Sequence, residues 1–298
     1  MRFSEKRPIG AEGKTRDLVR ILHDEGYSVP QITASLRINR TYGYALLKEY
    51  EPRKRQRSDE AKLRQKIREL CGEFPTNGYR RIRVWLKKRY QLCVNHKRVY
   101  RIMKELGLLT RSRGGTAKRK KQSGRIPVTS SNQHFQVDMT KIWCGRDGWG
   151  YLFAVIDAYD KEIVGYSFSR FCRTDELLSA VNQALEYRFP QGVKGCGLTI
   201  RSDNGCQMTS RRYVKALRDA GIKQERTGYN NPDADAYIER WFRTLKEETV
   251  WLQDYSSFLN AKKDIERYIR FYNEQRPHSA LRYLSPKEFR QVNTSNAA

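Results

Sequence analysis

The sequence predicts an α/β domain with helices on both faces of its sheet, standing behind two all-α regions. Three observations carry this. From residue 133, three strand-like stretches, QHFQVDMTKIW, GYLFAVIDAY and EIVGYSFSR, are followed by alternating helical and strand-like segments. Before residue 110, apolar residues recur at helical spacing. The charge is also lopsided: residues 1–127 hold 34 basic and 12 acidic residues, residues 128–298 hold 25 and 21.

In the first region, 1–52, Leu18, Val19, Ile21 and Leu22 repeat at helical spacing, and Gly26 marks a stop. Ser28 suits the cap of a second helix, with Pro30 in its first turn and Leu36 near its end. A tight turn at Arg37-Ile38-Asn39 leads into a third helix from Arg40. Two short helices joined in this way make a helix-turn-helix, whose second helix can enter a major groove. Arg40, Thr41, Tyr42 and Tyr44 would then face DNA. The competing reading is a three-helix packing module that touches no nucleic acid.

The second region, 53–110, reads as EAKLRQKIRELCGEF, a break at Pro75–Gly78, then YRRIRVWLKKRY, and finally HKRVYRIMKEL capped by Asn95 and stopped at Gly107. Val99, Ile102, Met103 and Leu106 share one face of the last helix. Arg80, Arg81, His96, Lys97, Arg98 and Arg101 form a basic set that can neutralise phosphates, or simply be a solvated surface. Residues 111–127 are a basic linker: RSRGGTAKRKKQSGR has seven basic residues, no acid and three glycines, and buries no core. Lys118, Arg119, Lys120 and Lys121 are its densest run of phosphate-binding candidates.

The α/β domain is expected over 128–250. Its first three strands are followed by a helix at TDELLSAVNQALEYRF, a strand at LTIRS, a helix at SRRYVKALRDAG, a fifth strand at IKQERT and a long helix at DADAYIERWFRTLKEETVWL. Asp138 interrupts the first strand and Asp203 ends the fourth. Asp203-Asn204-Gly205 suits a tight turn by itself. In the long helix, Tyr237, Ile238, Trp241, Phe242 and Leu245 make an apolar stripe. Glu239 lies off that stripe with Arg243 and Lys246, which either grip phosphate or are ordinary helix surface. A carboxylate on a strand, one at a strand tip and one on a helix can converge on cations that prefer oxygen ligands.

Between Asp203 and Glu239 stand residues 204–238, 35 in all. This Asp-Asp-(35)-Glu spacing resembles the retroviral-integrase-like transposases, and more narrowly the OrfB-type transposases of the IS-three family of bacterial insertion sequences. The likeness extends over 60–290, through NGYRRI, NHKRVYRIMKELGL, QVDMTKI, YLFAVIDAYDKEIVGYSFS, SDNG, AYIERWFRTLKEE and FYNEQRPHSALRYLSPKEF in that order. It implies a ribonuclease-H-like fold with a mixed five-stranded sheet, and a C-terminal helical extension over 251–298. It implies that Asp138, Asp203 and Glu239 are catalytic residues holding two Mg²⁺ (or Mn²⁺) ions. It implies cleavage of the element's ends and joining of 3′-ends to DNA. The partners implied are double-stranded DNA, as terminal inverted repeats and target, and further copies of the chain; fusion with, or help from, an upstream-frame product stays open. His278, in RPHSAL, is read as capping or packing. The family has Asn four residues before its glutamate, where this chain has Asp235, an extra charge one helical turn from Glu239.

Composition excludes other classes. No apolar run reaches the roughly 18 residues of a membrane span, and MRFSEKRPIGAEGK lacks a signal-peptide core. Six scattered cysteines and four histidines make neither a disulfide framework nor a zinc site, which suits a bacterial cytoplasmic protein at the nucleoid. A net charge of +26 favours a polyanionic partner. Two rivals remain: a non-catalytic or domesticated DNA-binding regulator, which needs no carboxylate triad, and a plain nuclease, which needs no helix-turn-helix.

Overall fold

The structure is a computed structural model that describes residues 11–47, 59–110, 128–226 and 236–295. The chain divides into two compact units, Met1–Glu60 and Ala61–Ala298.

The first unit contains α1 (Ala11–Asp24), α2 (Val29–Ser35) and α3 (Arg40–Leu47). Gly26 leaves α1 with φ +95°, where a side chain would be strained. At the head of α2 the Gln31 side chain accepts hydrogen bonds from both the amide and the hydroxyl of Ser28 (2.9 and 2.8 Å). Val19, Ile32 and Leu46 form its small core. Leu18 and Ile21 are exposed instead, because only one narrow face of α1 meets α2 and α3. The crossing of α2 and α3 depends on Gly43: a methyl there would collide with Cγ2 of Thr33.

The second unit begins one residue into α4 (Glu60–Glu73) and continues with α5 (Tyr79–Tyr90) and α6 (His96–Glu105). Asn95 caps α6, its Oδ1 accepting from the Lys97 amide at 2.9 Å. Ile67, Leu70, Ile82, Leu86, Val99 and Ile102 fill the space between these helices, and Phe271 from the C-terminal part packs against the same cluster. Phe271 stacks at 5.6 Å on Phe74 and 6.1 Å on Trp85.

The sheet has the order β3-β2-β1-β4-β5. Its strands are β1 (His134–Trp143), β2 (Trp149–Asp157), β3 (Ile163–Ser169), β4 (Thr199–Ser202) and β5 (Lys223–Arg226). The β1–β2 and β2–β3 pairs are antiparallel, whereas β1–β4 and β4–β5 are parallel. This is the mixed five-stranded, helix-flanked sheet of the expected fold class. Strand β2 is buried on both faces, as its unbroken run LFAVI requires. On one face Phe135, Val137, Phe153 and Val155 meet α7 (Thr174–Arg188) and α9 (Arg211–Asp219). On the other, Leu152, Ala154 and Ile156 meet α10 (Ala236–Glu248) and α11 (Phe258–Glu274). One turn, α8 (Cys206–Thr209), precedes α9, and α12 (Pro286–Ser295) follows α11. Gly165 lets α7 lie directly on β3, since a methyl there would run into the Ala180 carbonyl oxygen.

The turn after β2 is held by charge. Arg188 of α7 donates to Asp160 (3.0 Å) and Glu162 (2.7 Å) with its side chain almost wholly buried. Burial, with Asp160 beside it, raises the Asp157 carboxyl to about 6.

Candidate active site

Strand β1 alternates polar and apolar residues, His-Phe-Gln-Val-Asp-Met-Thr from 134 to 140. Phe135 and Val137 enter the α7 core. His134, Gln136, Asp138 and Thr140 therefore point to the opposite face. The parallel pairs His134↔Thr199, Phe135↔Ile200 and Gln136↔Arg201 fix an offset of 65 residues (199 minus 134). The ladder stops there, β4 ends at Ser202 and Asp203 follows it, so the same offset (203 minus 138), carried two residues past the last pair, would bring Asp138 and Asp203 level. Asp138 is half-buried, and its Oδ1 accepts from the Met139 amide at 2.6 Å. Asp203 is exposed, and its Oδ1 accepts from the Gly205 amide at 2.9 Å, so the turn expected of Asp-Asn-Gly forms.

Glu239 is exposed in the first turn of α10. The start of that helix is tied to β1: Oε1 of Gln136 accepts from the Tyr237 and Ile238 amides, both at 3.2 Å. Gln136 thus satisfies two helix-start amides that have no partner within the helix. It stands two residues from Asp138 on the same strand face. Beneath α10, Ile238, Trp241, Phe242 and Leu245 are buried as the stripe requires, while Lys161 lies 3.1 Å over the Tyr237 ring.

A polar row continues across the sheet. Glu225 Oε2 accepts from Arg201 at 2.9 Å and lies 3.2 Å from His134 Nε2. Burial lowers the His134 pKa. Burial would raise that of Glu225, but its hydrogen bonds to His134 and Arg201 outweigh this and lower it. Sequence reading missed Gln136, His134, Arg201 and Glu225; the period-two polar run on β1 was the available signal for the first two.

The donor set suits a hard cation, being three carboxylates with only oxygen to offer. Among the described residues, no group of three or more His, Cys, Asp or Glu side chains is close enough to hold a metal ion. Asp138 thus lies on β1 two residues beyond the last β1–β4 pair, Asp203 just past the end of β4 and Glu239 on the helix tied to β1, without closing into a cage.

Residues 128–232 match a family model described as an integrase core domain, and 220–286 match a second integrase core domain model. Residues 57–115 match an HTH-like domain. Transposase InsD of insertion element IS2-9 from Escherichia coli K12 is 26% identical over 294 residues, covering 95% of this chain and 96% of the relative. Transposase InsD of IS2A/D/F/H/I/K from Escherichia coli is 26% identical over 290 residues, covering 94% and 96%. The chain carries an integrase core domain behind an HTH-like domain. The core domain and the similar transposases support a polynucleotidyl-transferase type of enzyme serving DNA transposition and integration, and the HTH-like match implies DNA binding. Among solved structures, the HTLV-2 integrase catalytic core domain in complex with magnesium is 16% identical, with a TM-score of 0.41 over 53% of this chain and 96% of that one. The catalytic core domain of BIV integrase is 14% identical, with a TM-score of 0.42 over 56% and 98%.

On this integrase-core chain the predicted DNA contacts fall into groups. Arg40, Thr41 and Tyr44 are exposed on α3, whereas Tyr42 packs against the Val19–Ile32–Leu46 core. Arg80, His96, Lys97 and Arg101 are exposed, and Arg98 is half-buried. Arg81 is drawn away from the surface set: its Nη1 pairs with Glu248 Oε1 at 3.1 Å. Arg243 pairs with Glu247 one turn on, at 2.7 Å. Lys246 lines a cavity beside β1. Lys118, Arg119, Lys120, Lys121 and Asp235 lie outside the described residues. No described helix is long and apolar enough to cross a membrane.

His278 packs, as expected. Its Nε2 lies 2.9 Å from Arg276 Nη1, and its ring meets Tyr272 edge-on at 4.8 Å. Burial, then the positive charge of Arg276, push its pKa down to about 2, so it stays a neutral acceptor.

Proposed function

We propose that the chain binds the ends of its own insertion element, cuts DNA there and joins the 3′-ends to target DNA, with Asp138, Asp203 and Glu239 as the catalytic and metal-holding triad. The observation that carries this is the placement of Asp138 on β1 and of Asp203 at the tip of its parallel neighbour β4, beside the Gln136-anchored start of α10. Two Mg²⁺ or Mn²⁺ ions, when bound, would activate the attacking hydroxyl and stabilise the leaving 3′-oxygen. The chain itself supplies rigidity and charge. Asp138 sits mid-strand between paired neighbours, and Asp203 is turned by its bond to Gly205. Lys246 and Arg243, further along α10, steady phosphates near the cut, and the exposed bases of α3 and α6 hold duplex backbone. Several copies assemble on DNA.

The test is to incubate the chain with duplexes bearing its element's ends and Mg²⁺, and to map cleaved and joined strands. Free 3′-ends at the element boundary and their covalent joining to target DNA are expected. Cleavage without joining would make it a nuclease, and binding without either a regulator.

A further inference from the structure

The β1–β4 ladder ends at Gln136↔Arg201, so Lys141–Trp143 lie along an edge that β4 does not cover. Beside this edge is a cavity of about 590 Å³ whose walls include Lys141, Trp143, Trp149, Lys246 and Trp251. The three tryptophans are 55%, 44% and 63% exposed. Trp143 and Trp149 meet edge-on at 5.1 Å, and Lys141 Nζ stands 4.7 Å over the Trp149 ring. Three tryptophans of one cavity left in water form an unusual apolar surface for a soluble domain, and such a surface marks a partner.

We propose that this cavity receives an unpaired nucleobase of a DNA strand, stacked on tryptophan, with its flanking phosphates met by Lys141 and Lys246. The chemistry favours this over a protein partner, since protein interface cores are depleted in lysine, whereas bases combine ring stacking with phosphate charge. One acid, Asp254, also lines the cavity, and the two lysines outnumber it. The base must be unpaired, because a base inside a duplex presents its faces only to its neighbours. Position agrees. Lys141 is three strand residues along from Asp138, about 10 Å at 3.3 Å each and on the other face of β1, and Lys246 is seven helix residues from Glu239, again about 10 Å. That is roughly three base steps from the carboxylates.

The proposal rests on the reading that the chain binds DNA, and not on the carboxylate assignment; assays in EDTA keep the two apart. The probes are a blunt 20-base-pair duplex and the same duplex with a three-thymidine tail on either strand. The full chain should bind one tailed duplex about 10-fold more tightly than the blunt one, with quenched tryptophan emission. Trp251→Ala, on an exposed turn, should remove most of that preference and leave blunt-duplex affinity unchanged; Trp143→Ala should do the same. Equal binding of tailed and blunt duplexes would overturn the proposal. So would a tail preference that survives both substitutions, or an equal loss of affinity for every probe.

Discussion

Arg81, in the first turn of α5, pairs with Glu248, the last residue of α10, so the HTH-like region is bonded to the helix that carries Glu239. The same carboxylate takes two hydrogen bonds from Arg276, both 2.6 Å, and one from the Tyr268 hydroxyl at 2.9 Å. Burial would raise the Glu248 pKa, but Arg276 outweighs burial and lowers it.

Glu248→Ala strands Arg276 in the interior without its partner. A cost of about 3–5 kcal/mol is expected, read as a lower urea midpoint. Arg81→Ala should cost no more than about 1 kcal/mol, because its side chain is partly solvated. Equal effects would show that the three groups do not form a network centred on Glu248.

His278 gives acid sensitivity. Its folded pKa is depressed, so below the unfolded value of about 6.5 only the unfolded chain takes up its proton. Stability from this group is therefore complete above pH 6.5 and falls with acid, by about 2 kcal/mol at pH 5. The raised Asp157 works in the opposite direction, so the comparison must be with His278→Asn in parallel urea titrations. A variant that loses as much stability between pH 7 and 5 as the parent would refute the assignment.

Gly43→Ala should destabilise the first unit by about 1–3 kcal/mol by overpacking, seen as faster amide exchange over residues 29–47. Thr33→Ser removes the methyl that the new side chain strikes but keeps the hydroxyl that donates to the Val29 carbonyl. The double variant should regain most of the loss. If it does not, the helix crossing is not set by this contact.

Asp138→Asn, Asp203→Asn and Glu239→Gln each remove a charge at nearly constant size. Each is expected to abolish cleavage and joining, with duplex affinity within about 2-fold of the parent, because the basic helices are untouched. Gel assays of strand products beside binding isotherms check this. Near-normal joining by any one of them would remove that residue from the triad.

Salt separates surface bases from the paired one. Lys97→Ala with Arg101→Ala should flatten the dependence of log affinity on log salt by about 1–2. Arg81→Ala should leave the slope unchanged, since that charge is already committed to Glu248. A slope change with Arg81 alone would return it to the DNA surface.

The local order of this chain was legible from residues alone. Helical periodicity, the Asn95 cap, the Gly26 and Gly107 stops and the strand meander all act within a few residues of themselves, so each segment encodes its own shape and buried face. The strand, strand-tip and helix positions of Asp138, Asp203 and Glu239 could be read for the same reason. What joins segments could not. Gln136 reaches an amide 101 residues away, Arg81 a carboxylate 167 residues away and His134 one 91 residues away. Nothing at either end of such a pair marks its partner. Only packing decided that Tyr42 turns inward, that Leu18 and Ile21 stay out, that Phe271 enters the α4–α6 core, and that Lys246 and the three tryptophans share one cavity. A side chain's period fixes which way it faces on its own element; what stands opposite depends on how the elements cross.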